Sequence, residues 1–512
     1  MIHTFISLLL GDFIQMYWKC LALSIAACLI VLFIRCINPI KLDIPTVGKP
    51  GSNNYHYDLL EGVRKYPDTP FKIPVSPPIV ILPISILDEV SSLPESQISF
   101  RKDLGKMFAS DHTGIGQERI ELHLAIRTDL TRNMATIATN FQDEARYAFI
   151  TKLGACKEWT PFLLHKTIAH VVALLSGRIF VGLPLSRNEN WIISAIRFTT
   201  ESLNASEAMQ KYPGCIRRLV TPFLPEINRT KRHIARGREF LEPILKELLK
   251  SEKRHDDGQA TLMSWILKHV SDDLDSQQLT NKMIGDLMVA YFAAINTTTM
   301  LVTHVIFDLA SRRQYIQPLR DEIDQIMSEY ADVKLSSIQK LKKLDSFIKE
   351  SQRLSPADYI ANIHVTTSAL ALSTGHILPK GTRCGFASHI IHTSPDSPAF
   401  SAAYNAIPPM EFDGFRFSNI RAMEGKENKH QLATSSADSL SWGYGSHACP
   451  GRFFASNEIK VIMIELLRNW EFRLKGDITM EGGVEIRPKD NQTPIGVHPN
   501  LEAEIEFKRR KV

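Results

Sequence analysis

The chain has 512 residues, 44% hydrophobic and 22% charged, with a formal net charge of +5. That length leaves room for a large core, and so mild a charge excludes a nucleic-acid partner held by a basic surface. The seven cysteines (20, 28, 36, 156, 215, 384, 449) are odd in number and lack Cys-x-x-Cys spacing, which excludes a disulfide framework and points to a reducing compartment.

The first forty residues stand apart. Cys20 to Ile34 carries no charge, and the run reaches back to Phe13 if Lys19 snorkels, about 22 residues and enough to span a bilayer. Asp12 precedes the run, whereas Arg35, Lys41 and Lys49 follow it, so the positive-inside rule sets the body of the protein in the cytosol. A signal-peptidase site at Ser24 and Ala26 is disfavoured because the apolar run continues past them. Residues 1–38 are expected to be a single N-terminal transmembrane anchor. Residues 39–54, with Pro39, Pro45, Pro50, Gly48 and Gly51, are expected to be a stiff linker, and 55–512 one domain. On a cytosolic domain the sequons at Asn204, Asn228 and Asn491 carry no meaning.

Residues 77–90 read as a short apolar strand leading into a helix, and Ser99 to Gln117, dotted with glycine and charge, as a long loop. Helical spacing governs Arg119 to Phe149 (Leu122, Ile126, Leu130, Met134, Ile137) and most of 160–310, with breaks at Gly182–Pro184, Tyr212–Gly214 and Asp256–Gly258. Hairpin punctuation at Gly375 and Pro379–Gly381 marks strands over 369–386, and another strand is expected near Trp470–Leu474. The fold class is therefore mainly α with a small β part.

Four stretches carry chemistry. Ala293-Ala-Ile-Asn296-Thr297-Thr298 lies inside a long apolar segment, Met283 to Leu309, that should be a buried helix. Threonines there can bond their own i−4 carbonyls and open the ladder, leaving polar space; a simple kink with satisfied hydroxyls is the bland alternative. Glu350-Ser-Gln-Arg353 places opposite charges on one helix face, a pattern that alone proves little. Phe412-Asp-Gly-Phe-Arg416-Phe417 follows about 60 residues later. The last stretch is Trp442-Gly-Tyr-Gly445-Ser-His447-Ala-Cys449-Pro-Gly451, ahead of an apolar run from Arg452 to Trp470 long enough for a buried helix. A cysteine at a helix start has its thiolate favoured by free backbone N–H groups, although a lone cysteine is usually just a buried thiol.

In this order and spacing the four stretches resemble the cytochrome P450 family, over roughly residues 55–510. The cysteine loop is similar to its haem-binding pattern Phe-x-x-Gly-x-Arg-x-Cys-x-Gly, with Trp442 in place of the phenylalanine and His447 in place of the arginine. The resemblance makes Cys449 the metal ligand and places Trp442, Gly445, His447 and Gly451 around haem b (iron protoporphyrin IX). It makes Thr297 the oxygen-groove hydroxyl, with Asn296 standing where an acid is usual, and an amide delivers no proton. Glu350, Arg353 and Arg416 take the part of a buried ion network, and His364 falls near the place of a propionate-binding arginine. Stretches such as 65–74 and 315–323 look most similar to membrane-bound fungal members of secondary metabolism.

The resemblance implies a cytochrome P450 fold behind the anchor and a monooxygenase in the endoplasmic reticulum membrane. Electrons would come from NADPH through a separate NADPH–cytochrome P450 reductase docked on the basic face near the cysteine loop, and O2 would be the oxidant. Expected pocket linings (Val289, Ala290, Ala293 and residues 107–116) are largely apolar, which with the anchor favours a large lipophilic substrate such as a terpenoid or prenylated indole. Two rivals remain at this point: a reductase-independent rearrangement of peroxides, and a haem carrier or sensor without catalysis.

Overall fold

The chain is organised around one helix. Ser276–Ser311 is opened by a capping box in which the Asp275 carboxylate accepts from the Gln278 N–H at 2.7 Å and the Gln278 side chain returns to Asp275. The computed structural model describes residues 15–28, 30–31, 42–212, 214–250, 261–271, 273–330, 334–395, 407–475 and 486–511. Its main helices are α1 (Phe100–Met107), α2 (Ser110–Thr113), α3 (Met134–Leu153), α4 (Leu164–Phe180), α5 (Glu189–Gln210), α6 (Pro225–Lys250), α7 (Ser276–Ser311), α8 (Lys342–Leu354) and α9 (Arg452–Asn469). α7 packs against α4, α5, α6, α8 and α9, and α3 packs on α4 and α9. The largest apolar core lies among these helices. α7 is also long and apolar enough to cross a membrane, but 67% of its apolar window is buried, the mark of a core helix.

The β part is set to one side. Strands β1 (Phe71–Ile73), β2 (Ile79–Ile81), β3 (Ile98–Ser99), β5 (Ala361–Thr366) and β6 (Arg383–Phe386) form a five-stranded sheet in the order β1-β2-β6-β5-β3. Only β2 and β6 run parallel in it, and His364 of β5 lies opposite Cys384 of β6. A second sheet joins β4 (Thr160–Leu163), β8 (Glu504–Arg509) and β7 (Trp470–Leu474) in that order. Separate two-stranded pairs are made by 370–371 with 377–378 and by 491–493 with 496–498.

Several expectations change. Ser99 to Gln117 is not a long loop: the Ser99 hydroxyl caps α1 by accepting from the Lys102 N–H at 3.0 Å. Asp103 of α1 is buried and held by Arg383 at 2.6 and 2.9 Å, a partner 280 residues away. The segment 119–149 is split into Ile120–Leu124, a π-helical stretch Ala125–Leu130, and α3. α7 is helical throughout, with no opening at its threonines. Within the stretch read as a stiff linker, Ile44 and Val47 are buried and the Val47 N–H donates to the Lys72 carbonyl at 2.9 Å. Of the helix breaks, Pro213 and 256–258 lie outside the described residues, as do 39–41 and part of the apolar N-terminal run. Within that run, residues 15–28 are helical and exposed.

Candidate active site

Cys449 is placed by the turn before it and the helix after it. Gly443 and Gly445 adopt φ of +73° and +65°, values that only glycine takes without strain. A side chain at Gly445 would come within 3.2 Å of Ser91. The tight path lets the Cys449 N–H donate to the Trp442 carbonyl at 2.7 Å, and the Trp442 indole N–H donates to the Leu432 carbonyl at 2.6 Å. The Ser446 hydroxyl donates to the Ser91 carbonyl at 3.0 Å, and Tyr444 OH bonds Asp88 at 2.8 Å. The loop is thereby docked on the helix Leu87–Ser91.

α9 begins directly after Gly451. Burial pushes the Cys449 thiol above its ordinary range, while the N–H groups of Gly451 and Arg452 and the Arg452 guanidinium draw it back. Those donors stabilise sulfur as an anion, the form in which it binds a metal.

The loop also gathers the two histidines. The rings of His364 and His447 meet edge-to-face, 4.5 Å between centroids. His447 Nε2 lies 3.1 Å from the Leu93 carbonyl and His364 Nδ1 lies 2.6 Å from the Asn362 carbonyl. The Nε2 of His364 and the Oδ1 of Asn362 are buried without a partner among the described residues. Burial lowers the His364 imidazole to about 4, its bond to Asn362 opposes that, and the neighbouring His447 adds to it. His364 is therefore neutral near pH 7, so it brings no fixed positive charge.

Behind the loop, Glu350 and Arg353 form a fork-to-fork pair at 2.7 and 2.8 Å on α8. Arg416 joins the same carboxylate at 3.1 Å and donates to the carbonyls of Ile407, Pro408 and Glu411. All three side chains are buried. Sequence reasoning missed Asp345, one and a half turns earlier on α8. It accepts from Arg421 at 3.0 Å, from Lys460 of α9, and from the Leu432 N–H at 2.9 Å. Leu432 in turn carries Trp442. An aspartate inside an amphipathic helix gave no signal by itself, since its partners lie 76 to 115 residues away.

In the middle of α7 most side chains are buried, yet Ala293 and Thr297 are exposed, with Val289, Phe292 and Asn296 partly so. Residues four apart share a face, so this stripe of α7 stays open between buried neighbours. Ala290, expected on that stripe, is buried instead. The Thr297 hydroxyl donates to the Ala293 carbonyl at 2.8 Å, while the Asn296 amide turns to the Met300 sulfur at 3.6 Å. Phe108, between α1 and α2, meets Phe292 edge-to-face at 5.0 Å.

These residues fit haem b. A thiol in a tight turn just before a helix start suits an iron ligand, and the mostly apolar, partly open stripe of α7 suits an apolar group. The orphaned polar atoms of His364 and Asn362 beside the cysteine loop await polar partners such as propionates.

Comparison with known proteins agrees. Residues 125–494 match the family model described as Cytochrome P450. The chain is 44% identical over 514 residues to "Cytochrome P450 monooxygenase ascG" of Acremonium egyptiacum, covering 96% of each. It is 36% identical over 470 residues to "Cytochrome P450 monooygenase 3" of Gibberella fujikuroi, covering 87% of this chain and 88% of the other. The fold matches a solved structure described as "Retinoic acid bound cyanobacterial CYP120A1", with a TM-score of 0.63 at 15% identity over 92% of this chain and all of that one. A family model spanning most of the chain, the fungal relatives and the shared fold lead to one conclusion: this chain belongs to the cytochrome P450 family and is a monooxygenase.

Proposed function

We propose that the chain is a membrane-anchored haem-thiolate monooxygenase that inserts one oxygen atom from O2 into a C–H bond of a large apolar substrate. The observation that carries this reading is Cys449, seated just before the start of α9 in the tight glycine turn, its N–H held by the Trp442 carbonyl at 2.7 Å. Haem b, when bound, supplies oxygen activation and C–H oxidation. Cys449 would hold the iron, with Trp442, Gly445 and Gly451 shaping the loop beneath the macrocycle and His447 and His364 next to its propionates.

The remaining work falls to the chain. The Thr297 hydroxyl, on the exposed face of α7, keeps two lone pairs free while donating to Ala293 and can accept from and orient water. Asn296 is occupied with Met300 and has no acidic proton to give. Glu350, Arg353 and Arg416 hold the backbone behind the loop in one geometry, so that the sulfur is preorganised. Val289, Phe292, Ala293 and Phe108 present an apolar wall, which supports a lipophilic substrate; a terpenoid or prenylated indole of fungal secondary metabolism fits best. Electrons would come from NADPH through NADPH–cytochrome P450 reductase, with the catalytic domain on the cytosolic side of the endoplasmic reticulum.

The test is spectroscopic. The reduced protein treated with carbon monoxide should show the Soret band of a thiolate-ligated haem, and Cys449→Ser should abolish it. Purified protein that carries no haem, or carries it through nitrogen, overturns the proposal.

A further inference from the structure

A small polar cavity behind the cysteine loop has no place in the reading above. It measures about 10 Å3, and Lys349, His392, Asp438, Ser439 and Ser441 are among the residues that line it. Lys349 of α8 is only 4% exposed, and its ammonium donates to the Gln431 carbonyl at 3.2 Å and to the Ser439 hydroxyl at 2.9 Å. A lysine has three N–H donors, so these two bonds leave one over. Burial lowers the amine to about 8, while Asp345 and Asp438 act to raise it. It therefore stays mostly charged at neutral pH. Asp438 faces the same cavity, and its Oδ1 accepts from the Ser436 hydroxyl. Among the described residues no direct bond joins Asp438 to Lys349.

His392 enters from the short helix Ser388–Thr393. Its Nε2 takes the Leu440 N–H at 2.7 Å. A backbone N–H can only donate, so that nitrogen is the acceptor and the neutral ring carries its proton on Nδ1. Burial lowers the imidazole to about 3, which keeps it neutral near pH 7. The Nδ1–H is buried without a partner among the described residues. The cavity thus combines a charged donor, a neutral donor and a carboxylate acceptor, with room of the order one water needs. Asp438 disfavours an anion there, and Lys349 disfavours a cation.

We infer that one buried water bridges Lys349, His392 and Asp438, and that this bridge positions the segment that leads into the cysteine loop. The water accepts from Nζ and from Nδ1–H and donates to the carboxylate, joining two opposite charges that do not touch. Lys349 and His392 between them hold Gln431, Ser439 and Leu440. Trp442 follows directly. Its carbonyl accepts from the Cys449 N–H, and its indole N–H bonds the carbonyl of Leu432, the neighbour of Gln431. Both ends of 431–442 are therefore pinned to one polar cluster. The consequence for Cys449 rests on the haem-thiolate reading above, whereas the water site does not. Lys349 is a positioning residue, acting on the sulfur only through this segment.

The experiment uses the full chain loaded with haem. A crystal structure fine enough to show ordered water should place one water within hydrogen-bond reach of Lys349 Nζ, His392 Nδ1 and Asp438, and a bromide soak should leave no anomalous peak there. Lys349→Met keeps the length of the side chain and removes its donors. Amide hydrogen exchange in residues 436–442 should then rise on the order of tenfold, as expected for a lost charge-assisted hydrogen bond, with α7 unchanged. The carbon monoxide band of the thiolate form should decay faster by a similar factor, at equal haem content. Lys349→Gln, which keeps N–H donors without charge, should recover most of both effects, a rescue that a role in filling volume would not show. Should Lys349→Met fail to fold, Asp438→Ala removes the acceptor of the water and must raise exchange in the same residues. A dry cavity, bromide in it, exchange in 436–442 that does not change, or exchange that rises equally in α7 overturns the inference. A wild type with the water and the exchange response but no thiolate band overturns the haem-thiolate reading instead and leaves the bridge standing.

Discussion

Arg416 and Glu350 meet at 3.1 Å with neither side chain exposed to solvent, across 66 positions of sequence. The guanidinium also donates to the backbone carbonyls of Ile407, Pro408 and Glu411. The arginine therefore ties the segment leading to the cysteine loop onto α8.

Removing one partner strands the rest. Arg416→Ala leaves three carbonyls without that donor and half of a buried ion network uncompensated, and we expect a loss of about 3–5 kcal/mol. Urea unfolding of the haem-loaded protein measures it, and haem retention during gel filtration should fall in parallel. A loss below about 1 kcal/mol, the range of surface ion pairs, would show that the network is not a structural anchor.

A second buried pair controls the segment beside the cleft. Arg119 Nη1 lies 2.6 Å from Asp286, which is fully buried, and Lys282 approaches the same carboxylate at 3.4 Å. Arg119 also donates to the Gly114 carbonyl, and a Cβ at Gly285 would sit 2.9 Å from its guanidinium. Asp286→Asn should raise amide hydrogen exchange in residues 110–119 well above any change in α9, and Gly285→Val should do the same through steric displacement. Uniform change across both regions would mean global destabilisation and would sink the idea of a local latch.

The buried histidines make the fold acid-sensitive. Burial lowers His304, His389 and His392 to about 3 and His364 to about 4. In the unfolded chain each takes up a proton near pH 6.5, whereas in the folded chain it stays neutral until much lower pH. Stability from each is full above about 6.5 and is lost as pH falls towards the folded value, at up to ~1.4 kcal/mol per pH unit. Asp358 and Glu458, raised to about 6 and about 8, act in the opposite sense, but the imidazoles outnumber them. The denaturation midpoint should therefore drop between pH 7 and pH 5, and His389→Asn should flatten that slope by about one proton. A midpoint that does not move with pH would contradict this.

Much of the site was legible in the sequence because its chemistry is local. Gly443, Gly445 and Gly451 around Cys449 announce a tight turn before a helix, and Glu350 and Arg353 need only helical spacing to meet. What could not be read depends on partners far away in the chain. α1 reads as loop from sequence because the burial of Asp103 requires Arg383, and Asp345 gains its role only from Arg421, Leu432 and Lys460. Glu458 did leave a trace, as a lone acid within the apolar run Phe453 to Met463. The Ser176 hydroxyl that bonds it comes from α4, which no spacing rule brings to it. The unbroken helix of α7 shows that threonine hydroxyls can bond i−4 carbonyls without opening the ladder when packing on five helices holds it.

The N-terminus yields a two-part prediction. Residues 15–28 form a helix whose Met16, Tyr17, Trp18 and Leu23 are 55–70% exposed, an apolar surface suited to lipid rather than water. Deleting residues 1–38 should move the protein from the membrane pellet to the supernatant after ultracentrifugation and leave the carbon monoxide band unchanged. Extending the deletion through residue 47 should cost stability as well, because it removes Ile44 and Val47 from the core and the backbone bonds of Pro45 and Val47 with Lys72. Burial of two aliphatic side chains is worth about 1.5–3 kcal/mol each, so the two truncations should differ in urea midpoint by a readily measured margin. Equal midpoints would mean that 42–47 is a spacer after all, and a shorter truncation that stays in the pellet would place the membrane contact elsewhere on the domain.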